Sequence, residues 1–101
     1  MVTLNSTLHL LLVSPRDWLS HFGDLAQVWQ PNDQLLLIAA AVQGHASELL
    51  LPFAQQRPIG LYATDAAQIQ LPTPLPAHLE LVSSALWATW TLQHVRCMTW
   101  R

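Results

Sequence analysis

The sequence predicts a small three-layer α/β domain with a mainly parallel five-stranded sheet and helices on both faces. Short apolar runs recur along the chain, and segments with helical spacing lie between them in the order βαβαβ(α)βαβ. Strands that alternate with helices usually form a parallel sheet, because each connecting helix packs back onto one face. The 101 residues contain no repeat and no long linker, so we expect one domain over residues 1–101.

The first strand and the first helix follow one another directly. "TLHLLLVSP" is apolar up to its proline and predicts a strand over Leu8–Val13. A helix over Pro15–Trp29 is then expected, because Ser14 suits the N-cap and Asp17 lies near the positive end of the helix. Its apolar residues have helical spacing, and we expect four of them to face other side chains: Trp18, Phe22, Leu25 and Trp29.

The rest of the chain continues the alternation with shorter elements. Ser47 and Glu48 are expected to open a short helix that Pro52 bends or ends, and a helical turn is expected over Ala66–Gln70. Three prolines within five residues then mark an extended surface connection. The other expected elements are strands over Leu35–Ala40, Ile59–Ala63, Leu79–Val82 and Cys97–Trp100, and a last helix from Ser83 to about Gln93, capped by Ser83 or Ser84.

Charged residues are scarce in this chain. They make up 10% of the sequence, against about 25% in an average soluble domain, and there is no lysine. The hydrophobic fraction is 51%, with five tryptophans, so part of the surface is expected to be an interface rather than to face water. The four arginines are spread over the whole chain and form no phosphate-binding stripe, which disfavours direct nucleic-acid binding.

No known pattern for catalysis or cofactor binding is present. The three glycines form neither a dinucleotide-binding nor a phosphate-loop pattern, the five histidines lack metal-ligand spacing, and no serine lies in a GxSxG turn. Ligands of open α/β sheets gather at the carboxyl ends of the strands. There the sequence offers small residues such as Ala39–Val42 and one carboxylate, Asp65. We therefore expect no catalytic residue, no metal and no cofactor.

The tail "LQHVRCMTWR" holds the one cysteine, Cys97, next to Arg96. A thiol beside a cation is a candidate sulfur nucleophile. Consecutive strand residues point to opposite faces, however, so Arg96 is expected to face away from the thiol. We expect Cys97 to be a buried or half-buried structural residue at the start of the last strand. One cysteine also excludes an internal disulfide and fits a reducing compartment.

The chain has no expected membrane segment. Its longest apolar run, Leu35–Val42, has eight residues, whereas a membrane-spanning helix needs about 20. The N-terminal segment lacks the basic start of a secretory signal. We expect a soluble cytoplasmic protein.

Four short segments, in this order, resemble the TusB/DsrH family of sulfur-relay proteins. They are "TLHLLLVSPRDW", "NDQLLLIAAAV", "PIGLYAT" and a final Thr-Trp pair after a helix, and together they span Thr7–Trp100. The resemblance implies a DsrE/DsrF/DsrH-like fold. It also implies a TusB-like subunit that joins TusC-like and TusD-like subunits in a heterohexamer with two copies of each. That complex passes persulfide sulfur toward 2-thiouridine at the tRNA wobble position, through a TusE-like acceptor.

The chain departs from the family pattern at two places. An Asp-Gly pair that often follows the second strand is replaced by Gln43-Gly44, and the first helix lacks the cysteine of some DsrH-type members. The resemblance assigns the sulfur-carrying cysteine to the TusD-like subunit, so we expect this chain to be structural and not itself an enzyme. Three alternatives stay open: a DsrH-type subunit of sulfur oxidation, a sulfur carrier that uses Cys97, and an unrelated self-associating module with a ligand at the strand ends.

Overall fold

The structure, a computed structural model, describes residues 3–101, with side chains from residue 6 onward. Its five strands are β1 (Thr3–Leu11), β2 (Gln34–Leu37), β3 (Ile59–Tyr62), β4 (Leu79–Val82) and β5 (His94–Trp100). They form one sheet in the order β4-β3-β2-β1-β5, and every pairing among them is parallel. The predicted α/β architecture with a parallel sheet is confirmed.

Helices cover both faces of this sheet. They are α1 (Trp18–Val28), α2 (Ala63–Ala66) and α3 (Ser84–Gln93), and 3-10 segments cover Pro15–Asp17, Ala39–Gly44 and Glu48–Phe53. Neighbouring residues of β2 show the two layers, because their side chains point in opposite directions. Leu35 packs in the cluster that α1 covers, whereas Leu36 packs in the cluster that α3 covers.

The larger core lies between α1 and the sheet. Trp18, Phe22 and Leu25 of α1 are all buried there, as their helical spacing predicts. Trp29 is half-buried and packs against the same core. The Trp18 indole leaves no room for a side chain at Gly44, where an added Cβ would overlap the ring. This contact fixes the 3-10 segment after β2 against the start of α1.

The smaller core lies under α3 and depends on a second close approach. Trp90 is buried with Leu8, Leu36 and Val82. A Cβ at Gly60 in β3 would lie 2.7 Å from side-chain atoms of Trp90, Leu36 and Val82. The indole therefore packs directly on the backbone of β3. Ser83 caps α3 as predicted, since its hydroxyl oxygen accepts the Leu86 N–H at 3.1 Å.

Several predicted boundaries are wrong. β1 begins at Thr3 rather than near Leu8, because its polar first half also pairs, and it ends at Leu11. β2 ends at Leu37 rather than Ala40, because Ala39 has a φ of 55° and turns the backbone out of the extended region. β5 begins at His94 rather than Cys97, and β3 ends at Tyr62, where α2 begins.

Three predicted details of the helices are also corrected. The first helix begins with a 3-10 turn over Pro15–Asp17, and Ser14 caps it through its backbone carbonyl, which accepts the Asp17 N–H, not through its side chain. The helical turn expected over Ala66–Gln70 begins earlier, with α2 (Ala63–Ala66), and it continues through hydrogen bonds from the Gln68 N–H to the Asp65 carbonyl and from the Ile69 N–H to the Ala66 carbonyl. The helix expected at Ser47 is a 3-10 segment that includes Pro52, and the Ser47 hydroxyl accepts the Leu49 N–H.

Candidate functional site

Cys97 lies in the middle of β5 and is exposed. Its backbone is paired with Leu8 of β1. The predicted buried or half-buried thiol is therefore wrong. The sequence pattern misplaced it because β5 is the edge strand of the sheet, and α3 covers Leu8 and Leu36 rather than the face of β5 beside them.

Arg96 is directed away from the thiol, as strand geometry predicts. It is paired with Thr7 of β1, and its Nε donates a hydrogen bond of 2.9 Å to the Thr7 hydroxyl oxygen. Cys97, the next residue, belongs to the opposite face. The guanidinium therefore holds the edge strand to its neighbour.

The edge strand and the end of α3 expose apolar side chains close together in the sequence. Val95 is 52% exposed, Met98 is 43% exposed, and Leu92 near the end of α3 is 76% exposed. Edge strands are commonly protected by lysine, proline or a covering element. β5 has no lysine and no proline, and its outer edge pairs with no other strand among residues 3–101. We refer to Leu92, Val95, Cys97 and Met98 as the β5 surface. Strand alternation places Val95 and Cys97 on one face of β5 and Met98 on the other.

A buried carboxylate anchors β1, the strand beside β5, to the loop before β2. Asp33, just before β2, is 2% exposed. Its Oδ1 accepts the Thr7 N–H at 2.8 Å, and its Oδ2 accepts the Gln30 N–H at 3.0 Å. The same Oδ2 lies 2.8 Å from Nε2 of His9. Three donors therefore compensate the charge that burial would otherwise penalise.

His9 connects this carboxylate to the last residue of β5. The Trp100 indole Nε1 donates to His9 Nδ1 at 3.0 Å. An indole N–H is only a donor, so Nδ1 is an acceptor and the imidazole proton lies on Nε2, from which it is donated to Asp33. Burial lowers the pKa of His9 from its usual 6.5, although the hydrogen bond and charge of Asp33 act in the opposite direction. We call Asp33, His9 and Trp100 the His9 triad.

An aromatic wall encloses the imidazole of the triad. The Trp29 ring stacks on His9 with a centroid separation of 5.0 Å, and Phe53 meets Trp29 edge to face at 4.9 Å. A cleft of about 250 Å³ opens beside this wall, lined in part by Trp29, Phe53, Gln55 and Gln56. Asp33 also lines this cleft, but its carboxylate already accepts three hydrogen bonds, so the cleft presents mainly aromatic and amide groups.

A second buried histidine lies at the start of β5. His94 is 5% exposed, and its Nε2 lies 3.2 Å from the Gln34 side-chain oxygen. Gln34 in turn donates through Nε2 to the Pro58 carbonyl at 3.1 Å. Burial, followed by the charge of Arg57, lowers the pKa of His94. This chain of polar contacts connects β5 with the loop before β3.

The carboxyl ends of β2 and β3 form a separate cleft of about 270 Å³. Ala39, Ala40, Gln43, Asp65, Gln68 and Ile69 line it. The Asp65 Oδ2 accepts the Ala39 N–H at 2.8 Å, which holds Ala39 in its left-handed conformation. The position agrees with the expected location of ligands in open α/β sheets, and the lining contains no sulfur or imidazole nucleophile.

Among residues 3–101, no group of three or more histidine, cysteine or acidic side chains is arranged to hold a metal ion. Within the same residues, no helix has both the length and the apolar character needed to cross a bilayer.

The His9 triad is not apparent from the sequence. Its members are 24 and 91 residues apart along the chain, and each belongs to a different strand or loop. The one available signal was a histidine inside an otherwise apolar strand, which needs polar partners if that strand is buried. Its partners depend on strand register, which the sequence alone does not provide.

No protein-family model matches this sequence, and no curated protein sequence matches it.

Proposed function

We propose that this chain is a TusB-like, non-catalytic subunit of a cytoplasmic sulfur-relay complex, with TusC-like and TusD-like partners in two copies each. In this proposal the complex passes persulfide sulfur to a TusE-like acceptor and toward 2-thiouridine at the tRNA wobble position. The chain itself makes no direct contact with nucleic acid. A DsrH-type role in sulfur oxidation is the alternative for the same architecture.

The β5 surface is the observation that supports a subunit role. An edge strand with an unpaired outer edge lies beside three exposed apolar side chains, Leu92, Val95 and Met98. Its one charged residue, Arg96, is engaged with Thr7. Exposed apolar side chains on a strand whose outer backbone edge is unpaired are typical of protein interfaces. The scarcity of charge in the whole sequence supports the same role.

The contacts that β5 makes with β1 also support a subunit role. The His9 triad and the Arg96–Thr7 hydrogen bond hold the strand from its middle to its end. A surface whose backbone is fixed before binding loses less conformational freedom when a partner docks. β5 is therefore suited to present a preformed edge.

The test compares two matched substitutions during co-expression with TusC-like and TusD-like proteins. Val95→Asp places a charge on the β5 surface, where the native side chain is 52% exposed. Leu51→Asp places the same charge on the 3-10 segment before β3, where the native side chain is 50% exposed. We expect Val95→Asp to abolish co-purification and Leu51→Asp to retain it. Equal retention by both variants would contradict the role of the β5 surface.

A second candidate function is a sulfur carrier that uses Cys97. The exposure of this thiol favours it, because a persulfide donor can reach the sulfur. In that reaction the Cys97 thiolate attacks the terminal sulfur of the donor persulfide, and the donor leaves as a thiolate. Incubation with a persulfide donor followed by intact mass measurement tests it. A stable gain of one sulfur atom, lost in Cys97→Ser, would favour the carrier over the structural subunit.

A further inference from the structure

The cleft at the carboxyl ends of β2 and β3 combines three features. It has a volume of about 270 Å³ and is lined by one carboxylate and two amide side chains, from Asp65, Gln43 and Gln68. It lies at the edge of the sheet where α/β domains bind ligands. One wall is a residue in a strained backbone conformation, Ala39.

The strain at Ala39 is maintained by the carboxylate of the cleft. A non-glycine residue with a φ of 55° lies in the left-handed region, which costs about 1–2 kcal/mol for an L-residue. The Asp65 carboxylate, in α2, accepts the Ala39 N–H at 2.8 Å and so holds this turn. Such outliers cluster at binding sites, where the turn shapes the cavity. Here it brings Ala39 and Ala40 to the wall of the cleft.

The charge of the lining selects the ligand. None of the lining residues is an arginine or histidine, so an anion entering the cleft would meet the Asp65 charge without compensation. A cation with N–H donors would meet that carboxylate and the side-chain oxygens of Gln43 and Gln68. The methyl group of Ala39 and the half-buried Ile69 provide apolar contact for a short alkyl chain.

The size of the cleft limits the ligand further. Pockets for drug-sized molecules have volumes of about 300–1,000 Å³. At about 270 Å³ this cleft suits a smaller group. We propose that it binds an alkylammonium group, either a small free amine or a lysine side chain of a partner. The chain has no lysine, so the group does not come from a second copy of its own sequence.

The test is a titration of the full chain, labelled with ¹⁵N, with n-butylammonium chloride at constant ionic strength. We expect saturable shifts of the amide signals of Ala39, Ala40, Gln43 and Gln68, with a Kd of about 1 mM. The neutral alcohol n-butanol and the anion butyrate have similar alkyl chains and should give no saturable shifts. Saturation by the alcohol or by butyrate, or no saturation by the ammonium, would overturn the proposal.

Two variants separate the carboxylate from the turn that it supports. In Asp65→Asn the side-chain oxygen still accepts the Ala39 N–H, but the charge is lost, so we expect the fold to be kept and binding to weaken at least about tenfold. Asp24→Asn, on the exposed side of α1, is the matched control and should bind as the native chain does. If Asp65→Asn fails to fold, Gln68→Leu replaces it and should also weaken binding. If the variant that is measured, Asp65→Asn or its replacement Gln68→Leu, binds n-butylammonium as tightly as the native chain does, the proposal is overturned.

The source of the ammonium group is distinguished by a second probe, lysine capped at its amino and carboxyl ends. Binding of the capped lysine as tight as that of n-butylammonium assigns the cleft to a lysine of a partner. Binding of the free amine alone assigns it to a small molecule. Both results are obtained on the isolated chain, so they do not depend on whether the chain is a subunit of a sulfur-relay complex.

Discussion

Trp100 donates its indole N–H to Nδ1 of His9 at 3.0 Å, and this contact fixes the protonation state of the imidazole. Because Nδ1 accepts, the single imidazole proton lies on Nε2 and is donated to Asp33. A protonated ring would carry hydrogen on both nitrogens and lose the bond to Trp100. The end of β5 is therefore held by a histidine that must remain neutral.

Acid should destabilise the fold through the two buried histidines. Burial lowers the pKa of His9 and of His94 below 6.5. The charge of Arg96 lowers the pKa of His9 further, and the charge of Arg57 lowers that of His94 further. Asp33 acts in the opposite direction on both histidines. Below pH 6.5 the unfolded chain then binds more protons than the folded one. The free energy of unfolding falls as pH decreases through this range, by at most about 1.4 kcal/mol per pH unit for each histidine.

Urea denaturation at a series of pH values measures this slope. His9→Gln is the matched variant, because the glutamine amide can accept from Trp100 and donate to Asp33 but does not titrate. We expect it to reduce the acid slope and leave the His94 contribution. A slope identical to that of the native chain would show that His9 is not the titrating group.

Asp33→Asn should destabilise the chain by about 2–4 kcal/mol. The carboxylate accepts hydrogen bonds from the Thr7 N–H, the Gln30 N–H and the His9 Nε2–H. In the amide, one of the two acceptor oxygens is replaced by an NH₂ group, which is itself a donor and cannot accept from them. His9 cannot relieve the donor–donor contact by moving its proton to Nδ1, because the Trp100 indole N–H donates to that nitrogen. Asp24→Asn on the exposed side of α1 should change the free energy of unfolding by less than about 0.5 kcal/mol. Equal effects of the two changes, measured by urea denaturation, would contradict the anchoring role of Asp33.

Two glycines provide a matched pair for packing. Gly44→Ala places a methyl group against the Trp18 ring and should cost about 1–3 kcal/mol. Gly23→Ala lies in α1, where no neighbour outside that helix among the described residues comes within 4 Å of the added carbon. It should stabilise the chain by about 0.5–1 kcal/mol because alanine favours the helix. Thermal denaturation of both variants measures the difference. If Gly44→Ala stabilised the chain, the Trp18 ring could not lie against Gly44 as described.

Cys97→Ser should change stability by less than about 0.5 kcal/mol, since the side chain is exposed. A thiol reagent should label Cys97 in the folded chain without denaturant. Sulfur transfer by the assembled complex should continue in the Cys97→Ser variant if the chain is a structural subunit. Activity lost while the complex remains intact by gel filtration would instead make Cys97 a sulfur carrier.

The sequence predicted the fold where apolar periodicity and turn residues agree. The buried stripe of α1, with Trp18, Phe22 and Leu25, and the strand over Leu79–Val82 follow from spacing alone. The end of β2 was misplaced because alanine at position 39 carries no signal for a left-handed turn, which glycine or asparagine normally mark.

The candidate sites were harder to predict for a physical reason. Asp33 and Trp100 reach His9 only through the register of β1 with β2 and β5, a relationship between distant segments. Cys97 was expected to be buried or half-buried because a free cysteine usually behaves as a small apolar side chain. The order of strands, with β5 at the edge, leaves it exposed. Strand order is a property of the whole sheet that a local pattern does not encode.

The most direct test of the subunit proposal is native mass spectrometry of the chain mixed with TusC-like and TusD-like proteins from the same source. The proposal predicts one complex with two copies of each chain, and a melting temperature of this chain that rises when the partners are added, because binding to the folded state stabilises it. A chain that remains a monomer in the mixture, with an unchanged melting temperature, would contradict it.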